Sequence, residues 1–191
     1  DNAYCVHEFD GDFVPFADIL SECEKYGNAD MVFEFASTSK ITLPGAGVAC
    51  FACSEANMDY MTKLIGIQAI SFDKMNQLRH VRYLQNRDHT LALMKEHARI
   101  LKPKFDMVVS TLEREIAPLG IATWHKPKGG YFVSVNTTPG LAKRTLALCK
   151  EAGVVMTSAG ATYPYGHDPA DSNIRVAPSL PPVEELEQAM A

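Results

Sequence analysis

The chain is organised around the stretch Phe35-Ala36-Ser37-Thr38-Ser39-Lys40-Ile41-Thr42-Leu43-Pro44-Gly45-Ala46-Gly47, which has Lys40 at its centre. Apolar runs at 31–36 and 48–53 flank it, which predicts a strand, a polar loop and a second strand. The link between the two runs is too short for a helical crossover, so we expect the strands to be antiparallel. A desolvated lysine amine can form a Schiff base with a carbonyl compound. Most lysines in such loops are instead solvated surface residues.

Composition and charge exclude several classes of protein. The chain has 191 residues, of which 47% are hydrophobic and 21% charged, as is typical of a globular protein with one large or two small domains. No apolar run approaches membrane-spanning length and no signal segment opens the chain, so we expect a cytoplasmic protein without a membrane partner. The formal net charge of −5 favours no nucleic-acid partner, and the basic group at 79–87 is interpreted as a solvated helix face. A start without Met and an end inside a helical pattern indicate a fragment of a longer protein.

The cysteines and histidines form no pattern typical of disulfides or metal sites. The five cysteines are an odd number without framework spacing. Cys50 and Cys53 lie three apart in a predicted strand, where their side chains point to opposite faces, so we interpret both as buried small hydrophobic residues. The six histidines show no zinc-type pairing, and no metal site is predicted.

The periodicity of the apolar residues predicts alternating helices and strands. Helices are expected where apolar side chains recur every three to four residues, and strands where short β-branched or aromatic runs end in turn residues. The strand at 31–36 reads as buried on both faces apart from Glu34. The expected helices are 15–27, one beginning at Ser54, 73–86, 88–116 with a kink or break at Pro103, 139–152 and one opening at Pro181; the other expected strands are 121–124, 131–135, 154–157 and 173–178.

The long helix at 88–116 also suggests where the chain divides. Helices of this length often cross between domains, so we place the boundary near Arg99. Residues 1–98 would then form the end of a larger domain, and residues 99–191 a small α+β domain truncated at its end.

Several polar residues are expected near one edge of the first sheet. If a strand precedes the chain, Asp1 and Tyr4 follow its carboxyl end and Lys40 follows that of the next strand, where ligands bind in open α/β sheets. Arg175 lies alone in an apolar late strand. Each residue also has a structural interpretation: Asp1 as a turn residue or cap, Tyr4 as a packing residue, and Arg175 as an outward-facing strand position.

Four motifs occur in a defined order along the chain. They are Asp-x-Ala-Tyr at 1–4, Ser-x-Ser-Lys at 37–40, Gly-Gly-Tyr-Phe at 129–132 and Asn-x-Arg at 173–175. In this order and at these separations they resemble the motifs of the pyridoxal-phosphate aminotransferases of fold type I. The amino-acid sequence around Lys40 is similar to that of the bacterial MocR-type aspartate aminotransferase subgroup. The resemblance implies an α/β fold: the C-terminal part of a mixed, mostly parallel sheet with flanking helices, followed by a smaller α+β domain. It also implies a homodimer.

The resemblance implies roles for the residues near Lys40. Lys40 would form the Schiff base with pyridoxal 5′-phosphate and move the proton at the substrate Cα. Asp1 would face the pyridine nitrogen and keep it protonated, and Tyr4 would donate to the phenolic oxygen.

The resemblance also implies which residues hold the two anionic groups. Ser37 and Ser39 would bond the cofactor phosphate, and Arg175 would hold the substrate α-carboxylate in a bidentate fork. Many relatives carry a phosphate-binding arginine about eight residues after the lysine, where this chain has Val48. Either backbone amides of the glycine turn or residues elsewhere are expected to substitute for it.

Two functions follow from the resemblance. The first is the transfer of an amino group between an amino acid and a 2-oxo acid, for which the subgroup suggests aspartate and 2-oxoglutarate. Because the family's N-terminal half is absent from the chain, we expect this piece alone to be incomplete for activity. The alternative is a ligand-sensing aminotransferase-like domain of a MocR/GntR-type transcriptional regulator, which needs a basic helix-turn-helix segment upstream. A β-lyase or decarboxylase on the same scaffold stays open.

Overall fold

The structure, a computed structural model, describes residues 3–191, so Asp1 and Asn2 lie outside the described residues. The chain forms two compact units. The first comprises the described residues up to His7 together with Asp12–Lys95, and the second comprises Glu8–Gly11 and Glu96–Ala191. None of the helices in residues 3–191 combines the length and hydropathy needed to cross a lipid bilayer.

The first unit contains an antiparallel strand pair followed by helices. Its elements are α1 (Ile19–Glu24), β1 (Phe33–Ser37), β2 (Ala49–Cys53), α2 (Glu55–Gln68), α3 (Lys74–Leu84) and the beginning of α4 (Arg87–Thr111). In the strand pair Phe35 lies opposite Phe51, and Ser37 lies opposite Ala49. The antiparallel link predicted from the loop length is therefore confirmed.

Polar side chains cap the first three helices of this unit. α1, α2 and α3 begin after Asp18, Ser54 and Asp73, whose side chains accept the backbone N–H three residues on at 2.9, 3.3 and 2.9 Å. Each cap satisfies a donor that has no partner within the helix. The helix predicted from Ser54 is confirmed, whereas α1 begins later than predicted because Asp18 is its cap.

The strand pair exposes apolar side chains. Phe33 is 40% exposed and Phe35 53% exposed, so the prediction of a strand buried on both faces is wrong. Within residues 3–191 the pair has no third strand, and a two-stranded ribbon cannot bury both of its faces. Cys50 is also exposed, contrary to its interpretation as a buried residue.

The second unit contains a three-stranded sheet with helices. Its elements are the end of α4, β3 (Ala122–Trp124), β4 (Val133–Thr137), α5 (Ala142–Glu151), β5 (Asn173–Val176) and α6 (Val183–Met190). β4 lies between β3 and β5, and both pairs are antiparallel. Every strand pair in the described part of the chain is thus antiparallel, and the expected mostly parallel sheet is not formed by these residues.

Two other predictions about this half are corrected. Residues 154–157 form no strand, because the N–H of Val154 donates to the carbonyl of Cys149 at 2.8 Å and so closes α5. α4 continues through Pro103 without a break. Pro103 lies on the exposed side of α4, where water can satisfy the carbonyl that loses its intrahelical bond.

The apolar core of the second unit lies between α4 and the sheet. Phe105 is 2% exposed, and its ring centre lies 4.7 Å from that of Phe9. Phe9 reaches this core because its N–H donates to the carbonyl of Lys128 at 2.8 Å. Most of the buried residues follow the helical stripe of α4 or the alternation of the strands. They are Leu101, Phe105 and Val108 of α4, Leu112 directly after it, Val133 and Val135 of β4, Ala142 of α5 and Ile174 of β5.

We expect Phe105→Ala to lower the free energy of unfolding of the second unit by about 3 to 5 kcal/mol, because it removes apolar contacts and leaves a cavity. Denaturant unfolding measures the loss. Ile100→Ala is the matched control, since Ile100 lies on the same helix but is 64% exposed, and should change stability by about 0.5 kcal/mol at most. Equal losses in both variants would contradict the assignment of the core.

Candidate active site

Lys40 lies half-buried in the loop that joins β1 to β2. Its Nζ lies 6.0 Å from the centre of the Tyr4 ring, so the structure brings together two of the predicted site residues. The loop is closed by Thr38, whose N–H donates to the carbonyl of Val48 at 2.9 Å and whose hydroxyl accepts the N–H of Val48 at 2.9 Å. Both strand ends therefore hold Lys40 in place.

Ser37 and Ser39 form a pair of hydroxyls beside Lys40 in the chain. Their Oγ atoms lie 2.9 Å apart, within hydrogen-bonding distance. A Cβ at Gly47 would lie 3.3 Å from the hydroxyl of Thr38 and 3.4 Å from the N of Ser39, so the glycine turn packs closely onto this segment. Hydroxyls and amides packed in this way are suitable donors to an anionic oxygen.

His80 contacts this loop and was not predicted as part of the site. It projects from α3, and its Nε2 lies 2.8 Å from the Oγ1 of Thr42 and 3.1 Å from the Oγ1 of Thr38. It is half-buried, so its interpretation as part of a solvated helix face is wrong. The signal available in the sequence was the pair Asn76 and His80, which lie four apart and so share one helix face.

Arg175 projects from β5 in the second unit. Its guanidinium carbon lies 4.5 Å from the centre of the Phe132 ring, and its Nη2 donates to the Oγ1 of Thr157 at 3.3 Å. Its Nε is buried and has no hydrogen-bond partner among the described residues. Nor does any carboxylate of residues 3–191 form an ion pair with it. A guanidinium oriented by an aromatic ring, with donors remaining, is suited to bind a carboxylate.

Asn173 holds the strand that carries Arg175. Its buried amide donates to the Oγ of Ser134 at 3.0 Å and to the Oδ1 of Asn136 at 2.9 Å, and its Oδ1 accepts from the hydroxyl of Thr162 at 2.7 Å. These bonds fix β5 against β4. Because Asn173 and Arg175 lie two apart in a strand, they share one face of the sheet. The Asn-x-Arg motif was recognised in the sequence, but no role was assigned to Asn173.

Asp168 shapes the loop that precedes Asn173. Its carboxylate accepts the N–H groups of Asn173 and Ser172, each at 2.8 Å, and that of Ala170 at 2.9 Å. These bonds, with that from Asn173 contributing most, hold the pKa of the Asp168 carboxyl below its ordinary value. The loop therefore depends on the ionised form of a buried side chain.

The predicted site residues fall into two groups. Lys40, Tyr4 and the two serines belong to the first unit, and Arg175 belongs to the second. Asp1 lies outside the described residues, and its expected role stays a prediction. Within residues 3–191 no three His, Cys, Asp or Glu side chains are grouped so that they could hold a metal ion.

A family model described as aspartate amino-transferase matches residues 1–191, the whole chain. The chain belongs to this family. The aspartate aminotransferase of Corynebacterium glutamicum strain ATCC 13032 is 47% identical over 190 residues, which are 100% of this chain and 44% of that relative. This member of the family therefore spans less than half the length of that curated relative.

Solved structures resemble the chain in fold. The crystal structure of an aspartate transaminase from Corynebacterium glutamicum has a TM-score of 0.96 and 46% identity, and the match covers 99% of this chain and 45% of that chain. The α-aminoadipate aminotransferase LysN of Thermus thermophilus, complexed with N-(5′-phosphopyridoxyl)-L-leucine, has a TM-score of 0.77 at 18% identity over 98% of this chain and 46% of that chain. At that identity the likeness shows the fold alone.

We expect Asp168→Asn to destabilise this aminotransferase-family chain in a pH-dependent way. A carboxyl whose folded pKa is lowered stabilises the fold above its unfolded pKa of about 3.9, and this stabilisation is lost as the pH falls through the folded pKa. The stability gap between the wild type and Asp168→Asn should thus be widest near neutral pH and narrow below about pH 4. Denaturant unfolding between these pH values measures the gap.

Glu187→Gln controls for the loss of one negative charge, because Glu187 is an exposed residue of α6 in the same unit. A gap for Asp168→Asn that stayed constant from neutral to acidic pH would show that the ionised carboxylate does not hold the loop.

Proposed function

We propose that the complete gene product containing this chain is a pyridoxal-phosphate-dependent aminotransferase that exchanges an amino group between aspartate and 2-oxoglutarate. The observation that carries the proposal is the Nζ of Lys40, 6.0 Å from the Tyr4 ring centre in a loop that contains the paired hydroxyls of Ser37 and Ser39. The substrate choice is supported by the name of the relative that is 47% identical. The MocR-type subgroup, the homodimer and the cytoplasmic location rest on the sequence resemblance.

The residues around Lys40 fit pyridoxal 5′-phosphate by their chemistry. A primary amine suits the aldehyde, and the hydroxyls of Ser37 and Ser39 suit the phosphate. Val48 brings no charge, and its N–H donates to Thr38, so the serine hydroxyls and the other loop amides are proposed as the phosphate donors. The cofactor, when bound, supplies the acceptor for the electrons released at the substrate Cα.

Lys40 is proposed to have two tasks in this reaction. Its amine would hold the cofactor through the aldehyde carbon, and the same amine, when free, would move a proton at the substrate Cα. Both tasks need the amine close to one point, and the closure of the loop by Thr38 and Val48 supports such a restricted position. Tyr4, whose ring lies beside the amine, is proposed to donate to the phenolic oxygen.

Arg175 is proposed to bind the substrate α-carboxylate. Its guanidinium stacks on Phe132 and donates from Nη2 to Thr157, and the remaining N–H groups of the planar fork suit a bidentate pair with a carboxylate. A carboxylate held at two points has a defined orientation, and this orientation selects which bond of the Cα is broken.

We expect reduction with borohydride in the presence of pyridoxal phosphate to attach the cofactor to Lys40 of the complete gene product. Peptide mapping identifies the labelled residue. Lys40→Arg should lose both the label and amino transfer, whereas the control Lys63→Arg, at an exposed position of α2, should keep both.

Label on another lysine, or no label, would contradict the proposal. Label on Lys40 without amino transfer from any amino acid would instead favour the ligand-sensing regulator domain.

We expect Arg175→Ala to raise the KM for the amino acid and for the 2-oxo acid alike, because both carry the α-carboxylate. Loss of one partner of a buried charge pair is equivalent to about 2 to 5 kcal/mol of binding free energy. Steady-state kinetics measure both constants. Arg144→Ala, which removes an exposed arginine of α5, is the control and should leave both KM values unchanged. Unchanged kinetics for Arg175→Ala would mean that Arg175 does not contact the substrate.

A further inference from the structure

His80 has no role in the function proposed above, although it contacts the loop that carries Lys40. We propose that His80 is a positioning residue, which holds the segment Thr38–Thr42, and Lys40 within it, in the conformation that receives the cofactor. This inference rests on the proposed function of Lys40. The contacts of the imidazole, of the turn around Lys40 and of Asn76 support it.

The first support is the bonding of the imidazole. Its Nδ1 lies 2.9 Å from the carbonyl oxygen of Asn76, and because a carbonyl can only accept, Nδ1 carries the proton. In the neutral ring Nε2 is then an acceptor. It faces the hydroxyls of Thr42 at 2.8 Å and Thr38 at 3.1 Å, so a threonine hydroxyl donates to it. The Nδ1 side of the imidazole is thus bonded to α3, and the Nε2 side is bonded to the loop.

The second support is the turn that contains Lys40. The carbonyl of Thr38 accepts the N–H of Ile41 at 3.0 Å and that of Thr42 at 2.9 Å, so Lys40 lies inside a single tight turn. Thr38 and Thr42, the two ends of this turn, are the residues that meet the Nε2 of His80. One imidazole nitrogen therefore joins both ends of the turn from which the Lys40 side chain projects.

The third support is a second link from the same helix face. Asn76 lies four residues before His80, and its amide donates to the carbonyl of Ala46 at 2.8 Å and is 3.2 Å from that of Gly47. α3 thus contacts the loop at two places, through His80 at Thr38 and Thr42 and through Asn76 at residues 46–47. Removal of the His80 imidazole would free residues 38–42 from α3, whereas the hydrogen bond from the Asn76 amide to the carbonyl of Ala46 would remain.

We expect His80→Ala to loosen the loop without unfolding the protein. In the cofactor-free complete gene product, hydrogen exchange of the amides of residues 41–48 should become faster, because the hydroxyls of the turn lose their partner on α3. The dissociation constant for pyridoxal phosphate should rise roughly threefold to tenfold, as the loss of one hydrogen bond predicts. His89→Ala is the matched control, an exposed histidine in the same unit, and should change neither quantity.

Thr42 provides a second test of the same bond. Thr42→Val keeps the shape of the side chain but removes the hydroxyl and should reproduce the effect of His80→Ala, whereas Thr42→Ser keeps the hydroxyl and should restore wild-type values. The effect of the double variant His80→Ala with Thr42→Val should be smaller than the sum of the two single effects, because both substitutions remove the hydrogen bond between His80 and Thr42. In steady-state kinetics His80→Ala and Thr42→Val should lower kcat more than they raise KM, whereas Thr42→Ser should change neither.

The outcomes separate the two proposals. Label on Lys40 in the wild type, with unchanged loop exchange and cofactor affinity in both His80→Ala and Thr42→Val, overturns the role of His80 and leaves the proposed function standing. Absence of label on Lys40 in the wild type overturns both. Faster exchange and weaker cofactor binding in both variants, restored by Thr42→Ser, support the positioning role.

Discussion

The pair of hydrogen bonds between Thr38 and Val48 determines where Lys40 can be. The N–H of Thr38 donates to the carbonyl of Val48, and the N–H of Val48 donates to the hydroxyl of Thr38, which closes the loop directly beyond the last strand pair, Ser37 with Ala49. A loop closed by backbone and side chain together has little freedom. The lysine, the paired serine hydroxyls and the contact with α3 all depend on this closure.

The second unit fixes its candidate residue by the same kind of interaction. Asp168 fixes the loop before β5, and Asn173 joins β5 to β4. The orientation of the Arg175 side chain therefore depends on two buried polar groups, both of which have hydrogen-bond partners. Such networks hold one conformation because any other would leave a buried donor or acceptor without a partner. In both units the apolar residues stabilise the fold, and polar side chains orient the residues proposed for the site.

Local features of the sequence were sufficient for much of the fold. The short link around Lys40 required an antiparallel pair, and Ser54 marked a helix start that its side chain caps. The errors arose where a tertiary or neighbouring contact took precedence. The predicted strand at 154–157 gives its first N–H to the end of α5, and Phe35 stays exposed because burial depends on what packs against the strand.

The sequence by itself determined the family to which the chain belongs, because its motifs stand in a defined order and at defined separations, and it predicted the roles of Lys40, its flanking serines and Arg175. Only the tertiary structure decided what holds them. His80 lies 42 residues from Thr38, and Asn173 lies 39 residues from Ser134. No local pattern specifies such pairs, since a hydrogen bond between distant residues exists only when the packing of helices and strands brings its two atoms within about 3 Å of each other.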